Sequence, residues 1–136
     1  MHNHRIALSL PLCALLLVGL SHAGTIQYDV LPVAGGQSSS LGQALQRYIY
    51  HANGITFLAN QELDIVFSAD LYGSISNGVI GPGFDLLLFQ PNNPPGASGD
   101  FSALALSDIG AVAGPWSVDF TFKGPGQPGS QAYFIN

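Results

Sequence analysis

Trp116-Ser117-Val118-Asp119-Phe120-Thr121-Phe122-Lys123 is the stretch that decides the fold. Large apolar side chains at 116, 118, 120 and 122 alternate with Ser, Asp, Thr and Lys. That period of two is the mark of a half-buried strand, because successive side chains of an extended chain point to opposite faces. Thr25 to Leu31 repeats it, with Ile26, Tyr28 and Val30 on one face and Gln27 and Asp29 on the other. Leu63, Ile65 and Phe67 form a third such face, opposed by Glu62, Asp64, Val66 and Ser68.

Working outward, Asp85 to Phe89 is a continuous apolar run that suits a central strand covered on both faces. Ser102 to Leu106 and Gln131 to Ile135 are further strand candidates. Leu41 to Gln46 has the composition of a helical turn, but a strand is expected from about Leu45 onward. Turn signals separate the runs: Gly35-Gly36, Asn53-Gly54, Asn77-Gly78, Gly81-Pro82-Gly83, Pro91 to Gly96 and Gly124 to Gly129. Asn53-Gly54, between Tyr48-Ile49-Tyr50 and Ile55-Thr56-Phe57, predicts a hairpin, since both residues tolerate positive φ. Seven or eight short strands without a convincing helix predict an all-β chain folded as an antiparallel β-sandwich.

Ahead of these strands the chain carries an export signal. Met1 to Arg5 is a short basic segment, Ile6 to Leu20 is uncharged and rich in Leu and Ala, and Ser21-His22-Ala23-Gly24 sets small residues around a cut after Ala23. Spanning a bilayer takes about 20 apolar residues, and this run is shorter and contains Pro11, so cleavage between Ala23 and Gly24 is expected over retention as an anchor. The organisation expected is a signal helix over residues 1–23 and one β-sandwich domain over residues 24–136, with no transmembrane segment left after cleavage. Cys13, the one cysteine, lies inside the apolar run behind Leu12, a poor position for lipidation. The exported part therefore has no disulfide available in an oxidising compartment.

That part holds two basic residues, Arg47 and Lys123, against eight acids: Asp29, Glu62, Asp64, Asp70, Asp85, Asp100, Asp108 and Asp119. Nucleic-acid binding needs a basic patch to displace counterions, so it is excluded. His51 is the one histidine left after cleavage; beside a turn signal it is expected to be an ordinary loop residue, too isolated for a Ser–His–Asp base or a zinc set. Most carboxylates fall on polar strand faces or in turns, where solvated acids belong, so a glycosidase pair is not expected. Asp70, Asp100 and Asp108 in or near loops, with Asn92 and Asn93, are the oxygen donors for a calcium alternative, although their spacing fits no known loop. Trp116 belongs to the most regular apolar face and is expected in the core, not stacked on a sugar. No catalytic residue, cofactor or metal is assigned, and the oligomeric state is not legible in the residues.

From Tyr48 onward the chain resembles exported β-domain proteins of Gram-negative bacteria that bear a PEP-CTERM sorting signal. The residues that carry the resemblance are Asn60-Gln61-Glu62-Leu63-Asp64-Ile65, Leu71-Tyr72-Gly73, Gly83-Phe84-Asp85-Leu86-Leu87-Leu88-Phe89-Gln90-Pro91, Gly99 to Leu106, Gly114 to Phe120 and Gly126 to Gln131. The resemblance implies an ectodomain displayed at the cell surface of a Gram-negative bacterium or released into an exopolysaccharide-rich matrix. The export signal, low charge, β patterning and absent catalytic set lead us to expect a non-enzymatic protein with a structural or adhesive role. It is expected to be exported through the inner membrane and secreted, at the cell surface or in the periplasm, with exopolysaccharide or other surface proteins as partners. A carbohydrate-binding module is the alternative. Such proteins continue into a Pro-Glu-Pro motif, an apolar helix and a basic cluster, whereas this sequence stops at Asn136, so truncation or free secretion is expected.

Overall fold

A computed structural model describes residues 25–35, 43–112 and 114–136. The expected signal segment, the cleavage expected between Ala23 and Gly24, Cys13 and the Leu41 end of the ambiguous segment lie outside the described residues. Eight strands follow one another: β1 (Thr25–Pro32), β2 (Leu45–Asn53), β3 (Glu62–Phe67), β4 (Tyr72–Val79), β5 (Phe84–Phe89), β6 (Gly99–Ala105), β7 (Trp116–Phe122) and β8 (Tyr133–Ile135). They form two antiparallel four-stranded sheets in the orders β1-β2-β7-β4 and β5-β6-β3-β8. The described residues contain no helix, and none is long and apolar enough to cross a membrane.

The core is what the alternation demands. Tyr48, Tyr50, Leu63, Ile65, Phe67, Phe101, Ala103, Trp116, Val118 and Phe120 are buried between the sheets, two residues apart along each strand. Trp116 is 1% exposed and meets Phe84 edge-on at a centroid distance of 5.6 Å. Tyr48 is central: its ring stacks on Phe120 at 4.4 Å and on Tyr50 at 5.5 Å, and takes Phe67 and Tyr28 edge-on. Its hydroxyl donates to the Gly129 carbonyl at 2.7 Å and, with that proton committed, accepts from the Tyr72 hydroxyl at 2.8 Å. Burial pushes the Tyr48 and Tyr72 phenols upward in pKa, so both stay neutral partners.

Three features correct the sequence. Asp85 to Phe89 is not a central strand: β5 is an edge, with Leu86 and Leu88 packed on the core and Leu87 and Phe89 more than half exposed. A continuous apolar run fits a doubly covered strand and an edge strand with a bare outer face equally well. Asn53-Gly54 does not make a hairpin. Gly54 takes φ 68°, but β2 is already paired on both sides, and the chain leaves for the other sheet, where Phe57 bridges Ile109. Asn77-Gly78 is not a turn either; it lies inside β4, a strand the alternation hides. Register shifts after Tyr72 and Ser76 place the inward residues Tyr72 and Ile75 three apart.

The sandwich is shut on one flank. The Gln90 carboxamide reaches from the end of β5 to the β4 edge, accepting from the Ile75 N–H at 3.1 Å and donating to its carbonyl at 2.8 Å, one ladder rung made by a side chain. A Cβ on Gly78 would stand 2.8 Å from Leu86, so the missing side chain lets the sheets approach there. The opposite flank, between β1 and β8, stays open.

Replacing Tyr48 by Phe is expected to cost about 1–3 kcal/mol, because the Gly129 carbonyl and the Tyr72 hydroxyl lose their buried partner. Replacing the half-exposed Tyr28 by Phe should stay within about 0.5 kcal/mol. Urea denaturation of both variants measures the contrast.

Candidate functional site

The open flank holds a groove. Ile26 and Tyr28 of β1, Tyr50 of β2, Ile65 of β3, and Ser130, Gln131 and Tyr133 line a cavity of about 170 Å³. Gln131 ties its floor: it accepts from the Tyr50 hydroxyl and donates to the Val66 carbonyl at 3.4 Å. Two half-exposed rings, Tyr28 and Tyr133, come from the edges of different sheets. Beside the groove lies a shallow basin of about 480 Å³ where His51 and Asp29 meet at 3.2 Å. His51 is thus a strand residue on β2, not a turn residue, and its partner is a solvated carboxylate.

The second candidate is the outer face of the β5-β6-β3-β8 sheet. Register sets its side chains in three rows: Phe89, Asp100 and Val66; Leu87, Ser102, Asp64 and Phe134; Asp85, Leu104 and Glu62. Leu87, Phe89 and Phe134 are 55%, 52% and 55% exposed. Carboxylates run through the middle. Glu62 accepts from the Ser102 hydroxyl, and Asp64 accepts from the Asn136 amide at 2.8 Å. Asp100 has one carboxyl oxygen, Oδ1, that is buried without a hydrogen-bond partner. Burial pushes the Asp100 carboxyl up to about 7; the charge of Asp64, a hydrogen bond between the two carboxyls and the charge of Glu62 push the same way, against a lowering hydrogen bond from the Ile65 backbone.

No cation answers these acids from within the described residues. Arg47 is on the outer face of the other sheet, where its Nε and Nη2 grip the Asp119 carboxylate at 2.6 and 3.0 Å and Asn77 adds a third bond at 3.0 Å. Burial alone would raise Asp119, which is 1% exposed; the bonds from Arg47 and Asn77 outweigh it and hold the carboxyl below its ordinary value. Lys123 donates to the Ala69 carbonyl.

Two of the oxygen donors considered for calcium have local partners. Asp108 accepts from the Ala59 N–H at 2.9 Å, and Asn92 accepts from the Gly96 N–H at 2.8 Å within its own turn. Asp70 is exposed at the turn before β4, and Asn93 precedes a cis proline, Pro94. Asp100 is the second residue of β6, next to the loop that leads into that strand. Among the described residues no group of three or more His, Cys, Asp or Glu is arranged to hold a metal ion. Trp116 is in the core, as expected, out of reach of a sugar. The cluster of Glu62, Asp64 and Asp100 was missed because the pairing of β3 with β6 spans a long sequence separation; alternation alone shows that each acid faces outward. Family models, curated proteins and solved structures were all compared with the chain, and none matches.

A carboxyl held up to about 7 ties stability to pH. Between pH 4 and 7 the folded protein keeps a proton on Asp100 that the unfolded chain has released, so stability falls as pH rises through that window. Asp100→Asn is expected to flatten this slope and to leave the variant more stable than the parent above pH 7. Denaturation midpoints at pH 4.5, 6 and 8 read it out.

Proposed function

We propose that the chain is an exported, non-enzymatic protein of the bacterial surface or extracellular matrix, acting through adhesive contacts of its sandwich. The observation that carries this is the outer face of the second sheet, where Leu87 and Phe89 stand exposed side by side on β5 and Phe134 is exposed across the sheet on β8. Large apolar side chains left in solvent next to one another mark interaction surfaces. The signal-like segment ahead of β1, the absence of cysteine from residues 24–136 and the PEP-CTERM resemblance agree with that address.

A second reading, a carbohydrate-binding module, is favoured by the seam groove. Tyr28 and Tyr133 offer ring faces, Gln131 and Ser130 offer hydrogen-bonding groups, and about 170 Å³ suits a single sugar unit better than a long chain.

Fractionation of expressing cells tests the main proposal. The protein is expected outside the inner membrane, beginning at Gly24, and associated with matrix. Leu87→Ser with Phe89→Ser should release it to the medium with little change in melting, since both side chains are exposed. Intact protein in the cytosol alone, or a double variant retained as well as the parent, overturns it. For the second reading, a glycan array should show binding that Tyr133→Ala weakens at least tenfold; an array blank for the parent removes it.

A further inference from the structure

We propose that the outer face of the β5-β6-β3-β8 sheet docks a cationic amphipathic protein segment, one that lays apolar side chains on Leu87, Phe89 and Phe134 and sets Lys or Arg against Glu62, Asp64 and Asp100. The proposal rests on the adhesive reading and names the partner of that same face.

Charge complementarity selects this occupant. The face combines two demands that a partner must meet at once. Its rim of Leu87, Phe89 and Phe134 asks for apolar cover, and each side chain is more than half exposed. Its centre is acidic, with Asp64 and Asp100 on neighbouring strands in adjacent rows and Glu62 one row further on. An uncharged apolar partner would bury these carboxylates without a counter-ion, a strongly unfavourable step. A second copy meets the same objection, since like faces would bring carboxylates against carboxylates. Among the described residues no cation relieves them: Arg47 is held by Asp119 on the opposite sheet, and Lys123 by the Ala69 carbonyl.

Asp100 reinforces the choice. Its carboxyl lies against that of Asp64, and with Oδ1 buried and given no other donor the two are joined only when they share a proton. An ammonium or guanidinium group set against the pair takes the place of that proton. The groups facing it are the acids Asp64 and Glu62 of β3 and Asp85 of β5, the neutral Ser102 on its own strand, and the apolar Phe89 and Val66 flanking it in its row. None is basic. A cation placed against this set favours the ionised carboxylate, so docking expels the proton that Asp100 shares with Asp64.

The probes are three 18-residue synthetic helices of Leu with Lys, Leu with Gln, and Leu with Glu, titrated calorimetrically into the purified protein at two salt concentrations and in two buffers of different ionisation heat. The Leu–Lys peptide is expected to bind saturably, at least tenfold tighter than the Leu–Gln peptide, more weakly at high salt and with net proton release at pH 7. Asp64→Asn with Asp100→Asn should weaken it at least tenfold and abolish the proton release. Phe89→Ser should weaken it as well, while Asp29→Asn with Asp70→Asn, away from the face, leaves it unchanged. Equal binding of the Leu–Lys and Leu–Gln peptides, or binding indifferent to the face variants, overturns the proposal. So does a concentration-dependent dimer that Phe89→Ser disperses, since a second copy is then the occupant. If the Leu87 and Phe89 replacements free the protein from matrix while no cationic peptide binds, the partner chemistry fails and the adhesive function stands. If the peptide binds but matrix retention ignores those replacements, the adhesive function fails and the docking chemistry stands.

Discussion

The fully buried Tyr48 side chain is the contact on which the rest of the sandwich depends. Its ring touches aromatic neighbours from five strands: Tyr28 on β1, Tyr50 on its own β2, Phe67 on β3, Tyr72 on β4 and Phe120 on β7. Those strands belong to both sheets, so the spacing of the two layers is set where this ring lies. The phenol adds direction to what would otherwise be non-directional packing. It holds the Gly129 carbonyl and thereby fastens the segment that leads into β8. Aromatic pairs contribute about 0.5–1.5 kcal/mol each beyond their buried area, so a cluster of this kind compensates for the absence of any disulfide in residues 24–136.

That fastening makes the two flanks unequal. On the β4–β5 side, Gln90 supplies a ladder rung and Gly78 a close approach, and the layers meet. On the other side β8 is only three residues long, and Gln131 occupies the seam with a side chain that bonds across it instead of filling it. The groove is thus a consequence of how the last strand is attached. The outer faces are unequal as well. The first sheet spends its arginine on Asp119, a buried carboxylate that needs all three of its charge-assisted bonds. The second sheet keeps its acids without a basic neighbour among the described residues.

Much of this was legible in the sequence, because a period of two depends only on local backbone geometry. The inward faces of β1, β3 and β7 follow from alternation alone, and the start of β2 falls at Leu45 as expected. What failed was whatever required knowing a neighbour. Nothing local distinguishes a central β5 from an edge β5, since burial of Leu87 and Phe89 depends on what covers them. β4 escaped notice because bulges break its period and because Gly73, Ser74, Ser76 and Asn77 read as loop; in place, the Ser74 N–H donates to the Thr121 hydroxyl, and a Cβ on Gly73 would collide with it. The Asn53-Gly54 corner has hairpin chemistry, but pairing is decided by the strands competing for β2. The acidic cluster was hidden for the same reason, as register between β3 and β6 is a long-range property.

Where a fold is consistent at every level, local rules and global structure agree, and departures gather where something other than stability is being served. Here the core departs from the rules at one atom, the Trp116 indole N–H, which is buried without an acceptor; its other side chains are apolar or aromatic, and its central hydroxyls are paired. Several further departures gather on one outer face. Large apolar side chains stand in solvent there, a carboxyl oxygen is buried without a donor, and three acids crowd together with no cation near them. Each raises the free energy of the isolated molecule, and exchanging Leu87 for a polar residue or Asp100 for its amide is chemically simple. Exposed apolar side chains alone do not set this face apart, since Leu31 and Val79 stand in solvent on the Arg47–Asp119 face. What distinguishes a surface shaped for contact is that here they coincide with acids that no cation answers, whereas the opposite face pairs its buried carboxylate with Arg47.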